Sequence, residues 1–191
     1  FARSGYAQSI MMGPGILKYV IMFAPLGFVF ALSFGINRMS TAAAQATYWA
    51  YAAVMGMSLS TIFLVYTGTS IAQTFFATAG AFAGLSLFGY TTKKDLSGFG
   101  TFLIMGVVGL LVASIVNIFM QSGPFQLVIS ALGVLIFAGL TAYDTQKIKS
   151  MYSYVAGSDM VGKTVVMGAL QLYLDFINMF MFLLRLFGSR D

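Results

Sequence analysis

Two aspartates, Asp144 and Asp175, are the side chains of this sequence best placed to do chemistry. The chain has five Asp and no Glu, His or Cys, which excludes thiolate zinc sites, Ser-His-Asp triads and histidine-ligated haem. Asp175 is the twelfth of the 21 residues between Lys163 and Arg185, and its neighbours in that run are uncharged. A carboxylate in the middle of a membrane costs at least about 2.5–3.5 kcal/mol, so Asp175 is expected to be functional.

Asp144 stands at the end of the preceding uncharged run, three residues before Lys147. It is either an interfacial charge paired with Lys147 one helical turn away or the partner of Asp175. Helices joined by a short loop lie antiparallel, which favours the aspartate pair. Two carboxylates in a low dielectric cannot both ionise cheaply, so the pair would be a proton-dependent switch. The protonated pair would latch the helices, whereas the ionised pair would repel and offer weak oxygen ligands to calcium.

The predicted depths of the two aspartates do not match. A helix that ends at residue 149 places Asp144 about 5–8 Å from the loop, whereas Asp175 lies about 18 Å beyond Lys163, at 1.5 Å per residue. The gap closes if the last helix starts nearer Met167 or if a water-filled crevice reaches inward.

Further polar side chains are candidates to support the pair. Tyr143 and Tyr173 lie close to the two acids in the sequence and could donate hydrogen bonds to them. Asn178 could complete a calcium shell, although a hydrogen bond between helices is the more ordinary role for it and for Asn117. Arg38 closes the first apolar segment and could neutralise the pair in a closed state, the alternative being an ordinary cytoplasmic anchor.

The composition indicates the class of protein that must position these residues. Of the 191 residues, 59% are hydrophobic and only 8% are charged, and the mean hydropathy is +0.90. A soluble domain carries about 25% charged residues, so the sequence predicts an all-α polytopic membrane protein whose first partner is the lipid bilayer. The net charge of +5 is explained by basic loops on the cytoplasmic side and indicates no nucleic-acid partner.

Charged residues divide the chain into six apolar segments long enough to cross a bilayer as helices, which takes roughly 20 residues each. The predicted helices cover residues 14–36, 41–65, 70–90, 98–120, 124–149 and 164–186. They form a single bundle domain over residues 14–191, after an N-terminal remnant of residues 1–13. The chain opens with Phe1 rather than Met, so an upstream helix is expected. The loops expected in the cytoplasm are 37–40, 91–97 and 150–163.

Three segments of the sequence resemble the Bax inhibitor-1 family, and most closely its bacterial members. They are QLYLDFINMF at residues 171–180, AYDTQKI at 142–148 and GYTTKKDLS at 89–97. The resemblance runs from about residue 20 to the C-terminus. It implies a seven-helix fold with the last helix at the centre, a bacterial inner-membrane location, and a pH sensor made of the aspartates that match Asp144 and Asp175. The family's arginine that pairs with these aspartates has its nearest match in Arg38.

The same resemblance implies a pH-sensitive calcium leak channel, with calcium as the transported ion, no resident cofactor and no enzymatic activity. Bacterial members are also described as modulators of a membrane-anchored AAA protease, and eukaryotic members as suppressors of cell death. A non-conducting modulator is therefore the main alternative. An intramembrane aspartyl protease is a more distant one. Tyr143-Asp144 matches the Tyr-Asp motif of such enzymes, but Tyr173-Leu174-Asp175 lacks the glycines of their Gly-x-Gly-Asp motif.

Overall fold

The structure is a computed structural model that describes residues 15–190. The chain forms helices α1 Leu17–Gly35, α2 Thr41–Leu59, α3 Gly68–Thr91, α4 Ser97–Met120, α5 Gly123–Val155 and α6 Val161–Phe187. Two 3-10 turns, Ile36–Arg38 and Ser60–Leu64, follow α1 and α2. The described residues contain no β-strand, only an isolated bridge between Tyr66 and Arg190, which confirms the all-α prediction. The predicted remnant 1–13 lies outside the described residues.

Hydroxyl side chains fix where three of the helices begin. Ser40, Thr67 and Ser122 each accept a hydrogen bond of 3.2–3.3 Å from the backbone N–H three residues later. These bonds satisfy amide donors that have no partner within the first helical turn. Pro124 occupies the first turn of α5, where its missing N–H is harmless. The resulting starts of α2, α3 and α5 agree with the predicted starts to within two residues.

Five helices in the described part of the chain are long and apolar enough to cross a membrane: α1 with the turn after it, α3, α4, α5 and α6. The helix predicted over residues 41–65 is shorter, because α2 ends at Leu59. The hydroxyls of Ser60 and Thr61 donate to backbone carbonyls three residues earlier, at 2.6 and 3.0 Å. Such local bonds compete with the regular helical pattern and tighten the chain into a 3-10 turn.

Helix α5 continues six residues past its predicted end at residue 149, to Val155. Ser150 and Ser153 donate their hydroxyl groups to carbonyls four residues earlier, at 3.1 Å each, a pattern that keeps them within the helix. The chain turns only around Gly157, whose φ of +81° suits glycine. The extension places Asp144 about 16 Å from the loop end of its helix at 1.5 Å per residue.

Helices α5 and α6 together form the centre of the bundle. Helix α6 packs against α2, α3 and α5, and α5 packs in addition against α3 and α4. The membrane-spanning windows of α5 and α6 are 39% buried inside the protein, against 12–17% for α1, α3 and α4. The expectation of one central last helix is therefore refined, because the last two helices share that position. Large apolar side chains of the outer helices, such as Phe34 and Phe119, face outward, as expected towards lipid.

Glycines allow the helices around the centre to approach closely. A Cβ on Gly89 of α3 would overlap the backbone carbonyl of Ala142 in α5, and one on Gly100 of α4 would overlap the ring of Tyr143. By contrast, Gly80 and Gly84 have the spacing of a helix-packing motif, but a Cβ added to either would meet no atom of the described residues within 4 Å. The tight contacts thus hold α3 and α4 directly against the segment of α5 that carries Asp144.

Candidate functional site

Asp144 of α5 and Asp175 of α6 lie side by side in the core of the bundle. Their exposed fractions are only 3% and 4%, and their carboxyl groups are close enough to interact with one another. A hydrogen bond between two carboxyl groups requires a proton on one of them. Two buried carboxyl groups in this arrangement favour sharing one proton over carrying two charges.

The depth mismatch in the sequence prediction is resolved by the length of α5, not by a late start of α6. Helix α6 begins at Val161 rather than near Met167, so Asp175 lies about 21 Å along its helix at 1.5 Å per residue. Because α5 ends at Val155, Asp144 lies about 16 Å from the same end. The remaining difference of about 5 Å is within the reach of two side chains on neighbouring helices.

Gln171 is the polar partner that the sequence analysis did not single out. Its Nε2 donates to Oδ1 of Asp144 at 2.8 Å. Gln171 lies one helical turn before Asp175, so two successive turns of α6 face the Asp144 carboxyl group. Oδ2 of Asp175 is buried and accepts no hydrogen bond from any described residue. A buried oxygen without a donor is costly, and a proton shared with Asp144 or a bound cation would supply what it lacks.

Replacing Gln171 with Leu is expected to destabilise the protein. The substitution removes the amide donor while Asp144 stays buried, and an unsatisfied buried acceptor costs about 1–3 kcal/mol. The midpoint of thermal unfolding in detergent should fall by several degrees. Asn178→Leu is the matched control, because its Nδ2 donates to the Leu174 carbonyl of its own helix at 2.8 Å. Equal destabilisation by both substitutions would contradict a special role for Gln171.

The two tyrosines near the acids in sequence do not contact the carboxyl groups. Tyr173 points towards α2, where its ring packs against Tyr51 and Tyr48 at centroid distances of 5.5 and 6.4 Å. Tyr143 faces α4, where it covers Gly100. Within residues 15–190 neither tyrosine forms the hydrogen bond to an aspartate that the sequence suggested, because residues one or two positions apart point in different directions around a helix.

The remaining candidates also lie away from the carboxyl pair. The Nδ2 group of Asn178 donates to the Leu174 carbonyl of its own helix, and no hydrogen bond within residues 15–190 joins Asn178 to either acid. Asn117 donates to Gln126 Oε1 at 2.9 Å and thereby joins α4 to α5 at the opposite end of the bundle. Arg38 is exposed in the turn after α1, and among the described residues no ion pair joins it to Asp144 or Asp175.

Lys147 is the basic residue whose charge acts on Asp144, but it forms no ion pair with it within residues 15–190. Its ammonium group lies instead over the ring of Tyr143, 5.9 Å from the centroid. The interfacial Asp144–Lys147 pair considered from the sequence is therefore not formed. Burial draws Asp144 inward towards Asp175, whereas the longer lysine side chain reaches outward along the helix.

The described residues contain no cluster of three or more acidic, histidine or cysteine side chains that could hold a metal ion. The pair offers two carboxyl groups, with the Gln171 amide beside them. Calcium takes six to eight oxygen ligands, so water or backbone carbonyls would have to supply most of a coordination shell. Such a site favours brief occupancy over tight binding.

Comparison with known proteins identifies the family. The family model described as "Inhibitor of apoptosis-promoting Bax1" matches residues 2–191. The chain belongs to the Bax inhibitor family. The membership confirms the resemblance carried by the segments around Asp144 and Asp175. It indicates no enzymatic class for this Bax inhibitor family protein.

Bacterial relatives agree with this assignment. The chain is 51% identical over 172 residues to an uncharacterized protein of Rickettsia prowazekii, covering 90% of this chain and 72% of the relative. It is 53% identical over 175 residues to an uncharacterized protein of Caulobacter vibrioides, with coverage of 91% and 70%. It is 43% identical over 191 residues to the inner membrane protein YbhL of Escherichia coli, with coverage of 99% and 82%. The apolar helices and these relatives together identify an integral membrane protein.

Proposed function

We propose that this Bax inhibitor family protein is a pH-sensitive calcium leak channel of the bacterial inner membrane, gated by protonation of Asp144 and Asp175. One observation carries the proposal: two buried carboxyl groups from adjacent membrane-spanning helices lie beside one another, where sharing a proton costs less than carrying two charges. The inner-membrane location is supported by the name of the Escherichia coli relative.

In the closed state, the shared proton links α5 to α6. Both carboxyl groups are almost fully buried, so no ion reaches them from either side without a movement of the helices. The neighbouring contacts are tight, since a Cβ on Gly168 of α6 would lie 3.0 Å from a methyl group of Ile148 in α5. The protonated pair and this packing together form the latch.

In the open state, the shared proton has left and two negative charges face one another. At 4 Å and an effective dielectric constant of 20, two like charges repel by about 4 kcal/mol. That repulsion acts between α5 and α6, and it is relieved when the helices separate or when a cation enters. Carboxylate oxygens suit calcium, and a pathway conducts only when its ion binds weakly enough to leave.

Calcium flux into liposomes that hold the purified protein tests the proposal. Flux is expected to rise between pH 6 and pH 8, because loss of the shared proton opens the latch. Asp159→Asn is the matched control, since it makes the same chemical change at an exposed aspartate of the α5–α6 turn and should leave the pH profile unchanged. Absence of flux at any pH would contradict the channel. It would favour a non-conducting modulator of a membrane-anchored AAA protease, with the aspartates as a structural latch.

A further inference from the structure

The loop between α3 and α4 encloses a basic cavity at one end of the bundle. Its volume is about 330 Å³. Three lysines, Lys93, Lys94 and Lys149, line it together with Thr92, Ser150 and Ser153. The cavity lies where α3 ends and α4 begins, which is where the membrane-spanning segments leave the apolar layer. Ammonium groups gathered in one cavity are donors suited to a phosphate group.

Side-chain hydrogen bonds hold this loop in place on α5. The Gln146 side chain accepts from the Leu96 backbone N–H at 3.0 Å and donates to the Lys94 carbonyl at 2.8 Å. Lys149 donates to the Tyr90 carbonyl at 2.7 Å, and its ammonium group lies 4.3 Å from the centroid of the Tyr90 ring. The walls of the basic cavity are therefore held in place by α5. This distinguishes the cavity from a flexible loop that is merely charged.

The charge of the cavity is positive. Its lining carries three lysines and one acid, Asp95. Hydrogen bonds from the hydroxyl and the backbone N–H of Ser97 hold the pKa of Asp95 below its ordinary value, so Asp95 stays ionised and the net charge of the lining is +2. One oxygen of Asp95 is occupied by those two bonds, at 2.6 and 2.9 Å. Within residues 15–190, Lys93 and Lys94 form no ion pair.

An apolar cavity adjoins the basic one. Its volume is about 350 Å³, and its lining comes from the three helices α3, α5 and α6. Ile148, Tyr152 and Leu172 provide its apolar walls, and it shares Tyr90, Lys149 and Ser153 with the basic cavity. Both volumes fall in the range of roughly 300–1,000 Å³ that is usual for ligand sites. A ligand that fills both cavities has an anionic head and an apolar chain.

We propose that these adjoining cavities bind one anionic phospholipid. Lys93, Lys94 and Lys149 receive the phosphate, and one acyl chain lies in the apolar cavity between α3, α5 and α6. An anchoring role for the lysines requires only positive charge at the membrane surface. The fixed loop and the adjoining apolar cavity instead match a ligand that has an anionic head and an apolar chain. A phospholipid has that shape and is present where the helices leave the apolar layer of the membrane.

Native mass spectrometry of the purified protein, titrated with dioleoyl phosphatidylglycerol or dioleoyl phosphatidylcholine, tests the proposal. The wild type is expected to retain one phosphatidylglycerol in preference to phosphatidylcholine. Lysines near a membrane surface contribute about 1 kcal/mol each towards anionic lipid, so Lys93→Gln combined with Lys94→Gln should weaken phosphatidylglycerol retention about 30-fold. Lys163→Gln is the matched control, because Lys163 lies on the same side of the bundle and lines neither cavity.

A second variant separates a phospholipid from a soluble phosphate. Ser153→Trp fills the region shared by the two cavities without changing the charge, and it should abolish retention of phosphatidylglycerol. Glycerol 3-phosphate serves as the soluble probe and is expected to bind poorly to the wild type. If Lys163→Gln weakened phosphatidylglycerol retention as much as the Lys93→Gln and Lys94→Gln changes do, the lipid would be held by diffuse surface attraction and not at this site. Saturable glycerol phosphate binding that survives Ser153→Trp would overturn it in favour of a free phosphate ligand.

Discussion

Asp175→Asn protein in liposomes is expected to carry no more calcium at pH 8 than at pH 6. The asparagine amide can donate to Asp144 permanently, which replaces the shared proton by a hydrogen bond that pH does not remove. The wild type should instead gain flux by up to about tenfold per pH unit below its midpoint, because one proton controls the opening. The measurement is the initial rate of calcium entry at several pH values between 6 and 8.

The comparison needs a variant with the same chemical change outside the core. Asp159→Asn removes an exposed carboxylate from the α5–α6 turn, so its flux should follow the wild-type profile. If the flux through Asp175→Asn rose with pH as it does in the wild type, the pH sensor would lie elsewhere. The latch would then be a packing feature of α5 and α6.

Gly89→Ala is expected to produce the largest loss of stability among single-methyl substitutions. The new Cβ would overlap the backbone carbonyl of Ala142, and a backbone atom cannot rotate away as a side chain does. Overpacking of this kind costs about 1–3 kcal/mol, occasionally more, and α3 would have to move from α5 just beside Asp144. The midpoint of thermal unfolding in detergent should fall by several degrees, and the calcium flux should lose its pH dependence.

Gly84→Ala is the matched control for this substitution. Gly84 lies on the same helix, and a Cβ there would meet no atom within 4 Å in the part of the chain that the structure describes. Alanine is the better helix former by about 1 kcal/mol, so the control should keep or raise the unfolding midpoint. Equal destabilisation by the two changes would contradict the close packing of α3 against α5.

The helices were predictable from the sequence because charge and hydropathy mark their ends. The charges at Lys93, Lys94 and Asp95 divide α3 from α4, and hydroxyl caps mark several starts. The ends of α2 and α5 were not predictable in the same way. Serines and threonines donate to carbonyls three residues back after Leu59 but four residues back before Val155. Only packing decides between these two patterns.

The carboxyl pair was predictable from two isolated charges on antiparallel neighbouring helices, but its surroundings were not. Tyr173 lies two residues before Asp175, which rotates it by roughly 200° around the helix at 3.6 residues per turn. Gln171 lies four residues before Asp175 and so shares its face. An uncharged polar residue one turn from a buried acid was therefore the available signal for the partner of Asp144. Adjacency in the sequence favoured the wrong residue.

Calcium flux through both single variants and the double variant shows whether Asp144 and Asp175 act as one proton-sensitive gate. A single remaining carboxylate has no like charge to repel it, so loss of a proton should no longer separate α5 from α6. Flux is therefore expected to be independent of pH between 6 and 8 in Asp144→Asn, in Asp175→Asn and in the double variant. The double variant should show no effect beyond that of either single variant. A wild-type pH midpoint in either single variant, or additive effects in the double variant, would contradict the claim.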